Sequence, residues 1–465
     1  MKKFVVLLMF CLMITLSILL KWQWHAYSSN GSVDKITEAD QRVQIVATAK
    51  NLNIKQTFSG LDSKKEYDLI IPNLITDWKC EMESGKKCPS KDQNPATFLP
   101  VNGMIEIEYT IPLDREKSYS YLSDWKIHLR DVHIQNSTVS IAESFHRNGM
   151  WIVGMPLKGH KKQDLIDFFS FAGEGDFNSL YFQIDPFKYQ LQKSNIFYYV
   201  DKEIQKNMKF PIYNQLPVKS FIALVFTDHI SKISSDMIIL NPNQSTHAVE
   251  KILLSHYYQT KFNQDLGWMV DLLVAHQLEE LPKNTKALQV YNELKNELSS
   301  EESEKFYEII SGSQKNLSDQ NLDDFLGEIK GLKTRFFQIN KGTKNVSPLY
   351  FYQLKSVKIR NEEPTNIEVI HQHGKMLYPI NNLLTQMGYK VEHSTDQLLI
   401  KNSSNSYEFF PNQHLFRMNG QDYGLLENPL ILIDQNYYME QKWLQTIFKI
   451  LMEENDGVLQ MNETP

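Results

Sequence analysis

Hydrophobic and polar positions divide the chain into three kinds of text. From Arg42 to Asp185 apolar residues come in short runs: VQIVATA, EYDLIIPNL, GMIEIEYTIPL, WKIHLRDVHI, STVSIAE, MWIVGMPL and SLYFQID. Glycine, proline, asparagine or aspartate separates them, which is the punctuation of short half-buried strands. The span 42–185 therefore predicts an N-terminal β-sandwich-like domain whose aromatic positions are core. It contains no catalytic motif.

From 186 to 344 the pattern mixes. NIFYYVDKEIQKNMKF reads as a strand entering a helix, while KSFIALVF and DMIILN read as buried strands, so a central α/β domain on a small sheet is expected. Three amphipathic helices follow. Ala287, Tyr291, Leu294 and Leu298 share one face of the first. Ser299 and Glu302 form a capping box ahead of Phe306, Ile309 and Ile310. Ser318 caps the third, Leu322, Phe325, Leu326 and Ile329 face inward, and Gly331 ends it. The acidic residues of this region fall off those faces and read as solvated surface.

The text then turns to Gly, Asn, Thr, Ser and Pro around the single run PLYFYQLKSVKI, which marks a linker at 345–364. Residues 365–455 form a small α+β unit: the turn and helix of GKMLYPINNLLTQMGYKV, the strands QLLIKN, YEFFPN, LFRMNG and PLILIDQNYYM, and the closing helix WLQTIFKILMEE. DGVLQMNETP reads as a frayed tail. The expected fold class is thus multidomain α+β, with a β-sandwich-like domain, a central α/β domain with a helical bundle, and a small C-terminal α+β domain.

The N-terminus changes the picture of where this fold resides. Lys2 and Lys3 precede an apolar run of 17 residues, Phe4 to Leu20, and Lys21, Trp22 and Trp24 follow it. The run is longer than a signal-peptide core, and its flank suits a bilayer interface. Residues 1–27 are read as a single-pass signal anchor with the bulk of the chain extracytoplasmic; cleavage after Ser28 is the alternative. Cys80 and Cys88 flank the polar turn CEMESGKKC and could close one bridge in that compartment or remain thiols. At 465 residues the chain exceeds one core. A net charge of -6 with both signs interspersed provides no basic stripe for nucleic acid.

Candidate chemistry lies between Ile238 and Leu278. A helix-borne zinc site needs two imidazoles one turn apart, a neighbouring carboxylate as general base, and a third ligand from a later helix. No H-E-x-x-H occurs, nor its inverse H-x-x-E-H; THAVEK places His247 and Glu250 for the inverse motif but has Lys251 where the second histidine belongs. His229 and His276 lack a partner at helical spacing.

The order of β domain, small sheet ending in IILN, helix LLSHYYQTKF and a helix opening at Trp268 resembles the gluzincin metallopeptidases, in particular their glycyl-aminopeptidase-like branch. That resemblance implies a metallopeptidase-like central domain. It sets His256 at the first histidine, Tyr257 at the general-base glutamate, Thr260 at the second histidine and Asp271 at the third ligand. Only part of a metal site is then present, and no catalytic residue, metal ligand or cofactor is assigned.

The C-terminal run His373–Phe448 resembles the copper-amine-oxidase N-terminal-like domain, or stalk domain, of Gram-positive surface proteins. The match rests on Gly374-Lys375, Tyr378-Pro379-Ile380-Asn381, Gly388, Lys390-Val391-Glu392, Met418-Asn419-Gly420, Pro429 and Tyr438-Met439-Glu440-Gln441, with the family's arginines and second proline replaced. It implies a module that binds protein or faces the wall and carries no copper. Together these readings give a membrane-anchored, non-catalytic binding protein of a Gram-positive bacterium with a pseudo-metallopeptidase core and an unidentified protein, peptide or cell-wall ligand. The alternative is a divergent zinc metallopeptidase using His247, Glu250, His256 and Asp271.

Overall fold

The computed structural model describes residues 37–463 except 82–87, 90–95, 194, 219–220, 263, 314–315, 361, 395–396, 412 and 456. The expected anchor, 1–27, lies outside the described residues; among those described, no helix is long and apolar enough to cross a membrane. The architecture is mixed α+β with strand predominating. It resolves into two compact units, one of residues up to Lys209 with Val218–Thr246, the other of Phe210–Pro217 with residues from His247 onward.

A seven-stranded sheet organises the first unit. Its strands are β1 (Thr37–Ala47), β2 (Asn51–Ser59), β3 (Trp78–Cys80), β4 (Met104–Pro112), β5 (Val132–Glu143), β6 (Leu157–Lys162) and β7 (Asp167–Glu174), in the order β6-β7-β5-β1-β2-β4-β3. β1 and β5 run parallel, and the other neighbours are antiparallel. Alternation sets the faces: Val43, Ile45, Leu52, Ile54, Ile105, Ile107, Val139, Ile141, Phe169 and Phe171 are buried, while the residues between them point outward. β2, β3 and β7 are absent from the strand runs the sequence predicts, and β6 is touched only at Leu157.

A buried polar cluster on the inner face is hydrogen-bonded within itself. Gln56 Nε2 donates to Gln41 Oε1 (3.0 Å) and Ile127 O (2.8 Å), and its Oε1 accepts from Tyr109 OH (3.0 Å) and Ile127 N (3.1 Å). Gln41 Nε2 continues the network to Ser137 Oγ (2.9 Å) and Asp176 Oδ1 (2.6 Å), which also accepts from buried Lys126 (2.6 Å). A second sheet joins the same core: β8 (Tyr189–Lys193), β9 (Ile196–Val200), β10 (Ile222–Phe226), β11 (Lys232–Ile233) and β12 (Met237–Leu240), ordered β8-β9-β10-β12-β11 with β9, β10 and β12 parallel. A one-turn helix α1 (Glu203–Lys206) and a 3-10 turn (Tyr213–Gln215) lie between β9 and β10. Cys80 and Cys88 are joined as a disulfide, with Cα atoms 5.4 Å apart, at the edge strand β3.

The second unit begins with helices α2 (Thr246–Gln259), α3 (Trp268–Gln277), α4 (Thr285–Glu297), α5 (Ser300–Gly312), α6 (Asp319–Lys330) and α7 (Phe336–Asn340). The sheet and the helices of the expected central domain, 186–344, therefore fall in different units. Caps appear where the sequence put them. Ser299 and Glu302 make a reciprocal box, Ser318 accepts from Asn321 N, and Gly331 leaves α6 in the left-handed region at φ 67.

A seven-stranded C-terminal sheet runs in the order Ile431–Ile433, Asn436–Glu440, Lys375–Pro379, Thr365–Gln372, Phe351–Ile359, Val458–Glu463 and Ile450–Asn455. A second sheet of five antiparallel strands spans Lys390–Gly424, and helices α8 (Ile380–Gln386) and α9 (Gln441–Phe448) pack with both in one core. Two expectations are corrected. The stretch 345–364, read as a linker, carries the strand Phe351–Ile359 inside the sheet, because Phe351, Val357 and Ile359 are needed in the core. The final helix stops at Phe448, where Lys449 turns left-handed (φ 56), and the rest of the expected helix and tail pair as a hairpin around Gly457 (φ 77).

Candidate functional site

α2 is the helix on which the sequence placed its chemistry. An ideal helix turns about 100° per residue, so Glu250 lies about 60° from His247 around the axis, and His256 lies about 180° from His247. The three side chains cannot converge on one ion. Each has another environment. His247, exposed, meets Glu280 Oε1 through Nε2 (2.8 Å), and Lys251 Nζ donates to Glu280 Oε2 (2.7 Å). The Lys251 ammonium, and after it His247, holds the Glu280 carboxyl below its ordinary range. Glu250 is buried and accepts the backbone N–H groups of Ile212 (2.8 Å) and Tyr213 (3.2 Å), securing the segment Phe210–Pro217. His256 is buried.

The residues set opposite the general base and second ligand have structural partners as well. Tyr257 OH donates to Ser311 O (3.0 Å), and burial pushes its pKa up to about 12, so it remains a neutral phenol. Thr260 Oγ1 donates to Tyr257 O (2.8 Å). Lys261 Nζ donates to Ser311 O (3.0 Å) and Ser313 O (2.5 Å), closing the C-terminal carbonyls of α5 with a cation. Asp271 Oδ2 accepts Asn284 N (2.7 Å), and Asn284 in turn caps α4. The residues therefore do not fit a catalytic zinc, and among the described residues no group of three or more His, Cys, Asp or Glu could hold a metal ion.

A different surface has the shape of a site. On the outward face of the large sheet, register aligns side chains in rows across the strands. One row runs Phe168, Ala142, Val46, Asn53 and Thr110; the next runs Ser170, Ser140, Gln44, Lys55, Glu108 and Lys79. The rows line a groove of about 550 Å³, and a second hollow of about 390 Å³ shares Gln44 and Lys55 and adds Arg42, Thr57 and Glu106.

The charges in it are compensated. Lys55 pairs with Glu106 (2.5 Å), and Lys79 with Glu81 (3.1 Å) and Glu108 (3.1 Å). Thr110 Oγ1 donates to Asn53 Oδ1 (3.3 Å). Phe168 is 41% exposed at the apolar end of its row. None of these residues was a sequence candidate. The signal that could have found them is polar alternation along β1, β2 and β4, but their juxtaposition depends on register between distant segments.

No family model matches the chain, and no curated protein matches it. Solved structures with a similar overall course include an M1 zinc metallopeptidase from Deinococcus radiodurans, at 10% identity and a TM-score of 0.41 over 68% of this chain and 94% of that one. A glutamate-to-alanine mutant of an M1 zinc metallopeptidase from the same organism, bound to a Tyr-Ser-Ala substrate, gives 10% identity and a TM-score of 0.42 over 68% and 95%.

Proposed function

We propose that the chain is a membrane-anchored, extracytoplasmic, non-catalytic binding protein, with a metallopeptidase-like central region that does no hydrolysis and a stalk-like C-terminal module. The observation that carries this reading is the diversion of side chains on α2 and α3 to structural partners: Glu250 to the Phe210–Pro217 backbone, His247 and Lys251 to Glu280, Tyr257 to α5, Thr260 to the α2 backbone, and Asp271 to the cap of α4. These contacts stabilise the helices and leave no convergent ligand set. Support for the stalk-like module comes from its turns, where Gly374 (φ 72), Asn419 (φ 51) and Gly420 (φ 83) adopt the left-handed geometry that tight hairpins require.

The test is incubation of the full chain, in detergent, with a mixed peptide library, with and without a zinc chelator. No chelator-sensitive cleavage is expected. Cleavage that the chelator abolishes, and that His256→Ala also abolishes, would overturn the reading.

A further inference from the structure

We infer that the groove on the outward face of the large sheet is a binding site for an uncharged, hydroxyl-rich polysaccharide chain lying across the strands. The inference rests on the binding role proposed above and supplies the site and ligand class for it. Extent comes first. The first row crosses β7, β5, β1, β2 and β4 and the second continues to β3, so at about 4.8 Å between neighbouring strands they span about 19 Å and about 24 Å, a track for an extended chain rather than a pocket for one small molecule.

Charge comes second. Across both hollows the cations Arg42, Lys55 and Lys79 stand against the carboxylates Asp77, Glu81, Glu106 and Glu108, three against four, with the two lysines already in ion pairs. Such a surface has little field with which to attract a polyanion or a polycation.

Chemistry comes third. Gln44 and Asn53 each present donor and acceptor atoms, and Ser140, Thr57 and Thr110 add hydroxyls, so vicinal hydroxyl groups meet partners of either sense. Phe168, Ala142 and Val46 form an apolar end to the first row, suited to the C–H face of a sugar ring. An extended peptide is the weaker occupant. β7, β5, β1 and β2 are each paired on both sides, and the edge strand β3 that borders the groove is only three residues long, a short template for strand addition.

The experiment is titration calorimetry of the full chain in detergent with chitohexaose and cellohexaose, with heparin as the charged comparator. Binding of at least one neutral hexasaccharide, unaffected by high salt and weakened about tenfold or more by Phe168→Ala and by Gln44→Ala, is the expected result. Both side chains are exposed, and an unchanged melting temperature shows each variant folded; Asn53→Ala serves where one is not. Binding of neither neutral sugar, binding equally strong in the folded variants, or binding of heparin alone would each overturn the inference. Because the peptide-cleavage test does not involve the groove, failure here leaves the non-catalytic reading standing.

Discussion

The side chains of Arg115 and Glu143 are 1% and 0% exposed and form an ion pair inside the first unit. Glu143 is the hub of this knot. Its Oε1 accepts the backbone N–H groups of Phe145 (2.8 Å) and His146 (2.8 Å), and its Oε2 accepts Trp151 Nε1–H (2.9 Å) besides Arg115. Arg115 has less to fall back on. Its guanidinium stacks on Phe182 (4.4 Å) and Trp151 (5.3 Å), and its Nε and Nη1 have no hydrogen-bond partner.

Glu143→Leu therefore strands a buried cation and three N–H donors, whereas Arg115→Met leaves a carboxylate that keeps three donors. Breaking a buried pair costs about 3–5 kcal/mol when the partner is left unpaired, so Glu143→Leu should fall in that range. For a unit of this size that is a loss of about 6–20 °C in melting temperature. Arg115→Met should cost about 1–3 kcal/mol, and the double variant should be more stable than Glu143→Leu alone, because the stranded charge has gone. Differential scanning calorimetry at neutral pH measures all four proteins. A double variant no more stable than Glu143→Leu, or an Arg115→Met that is the worse single change, would refute the reasoning.

Other sites give sharper yes-or-no outcomes. A Cβ on Gly154 would collide with the Asp236 carboxylate, which is fixed by Asn178 N, Ser179 N (3.0 Å) and Ser179 Oγ (2.6 Å); Gly154→Ala should lower the urea midpoint by about 1–3 kcal/mol equivalent, and an unchanged midpoint would show that Asp236 yields. The Cys80–Cys88 bridge closes a loop of separation 8, for which loop entropy gives about 2.5 kcal/mol, so reductant should lower the melting temperature of the wild type but not of a Cys80→Ser/Cys88→Ser variant. Burial pushes His276, stacked on Tyr307 at 3.7 Å, below its ordinary 6.5, with Glu304 partly opposing. The unfolded chain then binds that proton more readily, so the contribution is complete above pH 6.5 and declines as pH falls through 6.5 toward the folded value. His276→Phe should flatten that decline in a series of melts; an unchanged slope would assign it elsewhere.

Much of the fold was legible because local signals carried it. The capping box at Ser299, the glycine stop at Gly331 and the buried strand IALVF are each set by residues within one turn of themselves. β2 was not read because its inward positions include Gln56, polar in the sequence yet buried and fully hydrogen-bonded in the fold. β7 begins with Asp167 facing inward and Phe168 facing outward, the reverse of the usual assignment. The last helix was extended too far because ILMEE suits a helical as well as a two-residue period, and only pairing with Val458–Glu463 decides between them. The substitution of Lys251 at the second histidine position was visible in the sequence, but its partner Glu280 was not, since 29 residues separate them. The groove was invisible for the same reason: six strands contribute to it, and which residues become neighbours is a matter of register.

The central claim is that α2 and α3 hold structural side chains rather than a hydrolytic metal. Zinc content per chain, measured on the purified full-length protein and on His256→Ala after equilibration with zinc and desalting, tests it most directly. The account predicts zinc at background in both. Near-stoichiometric zinc in the wild type that disappears with His256→Ala would contradict it.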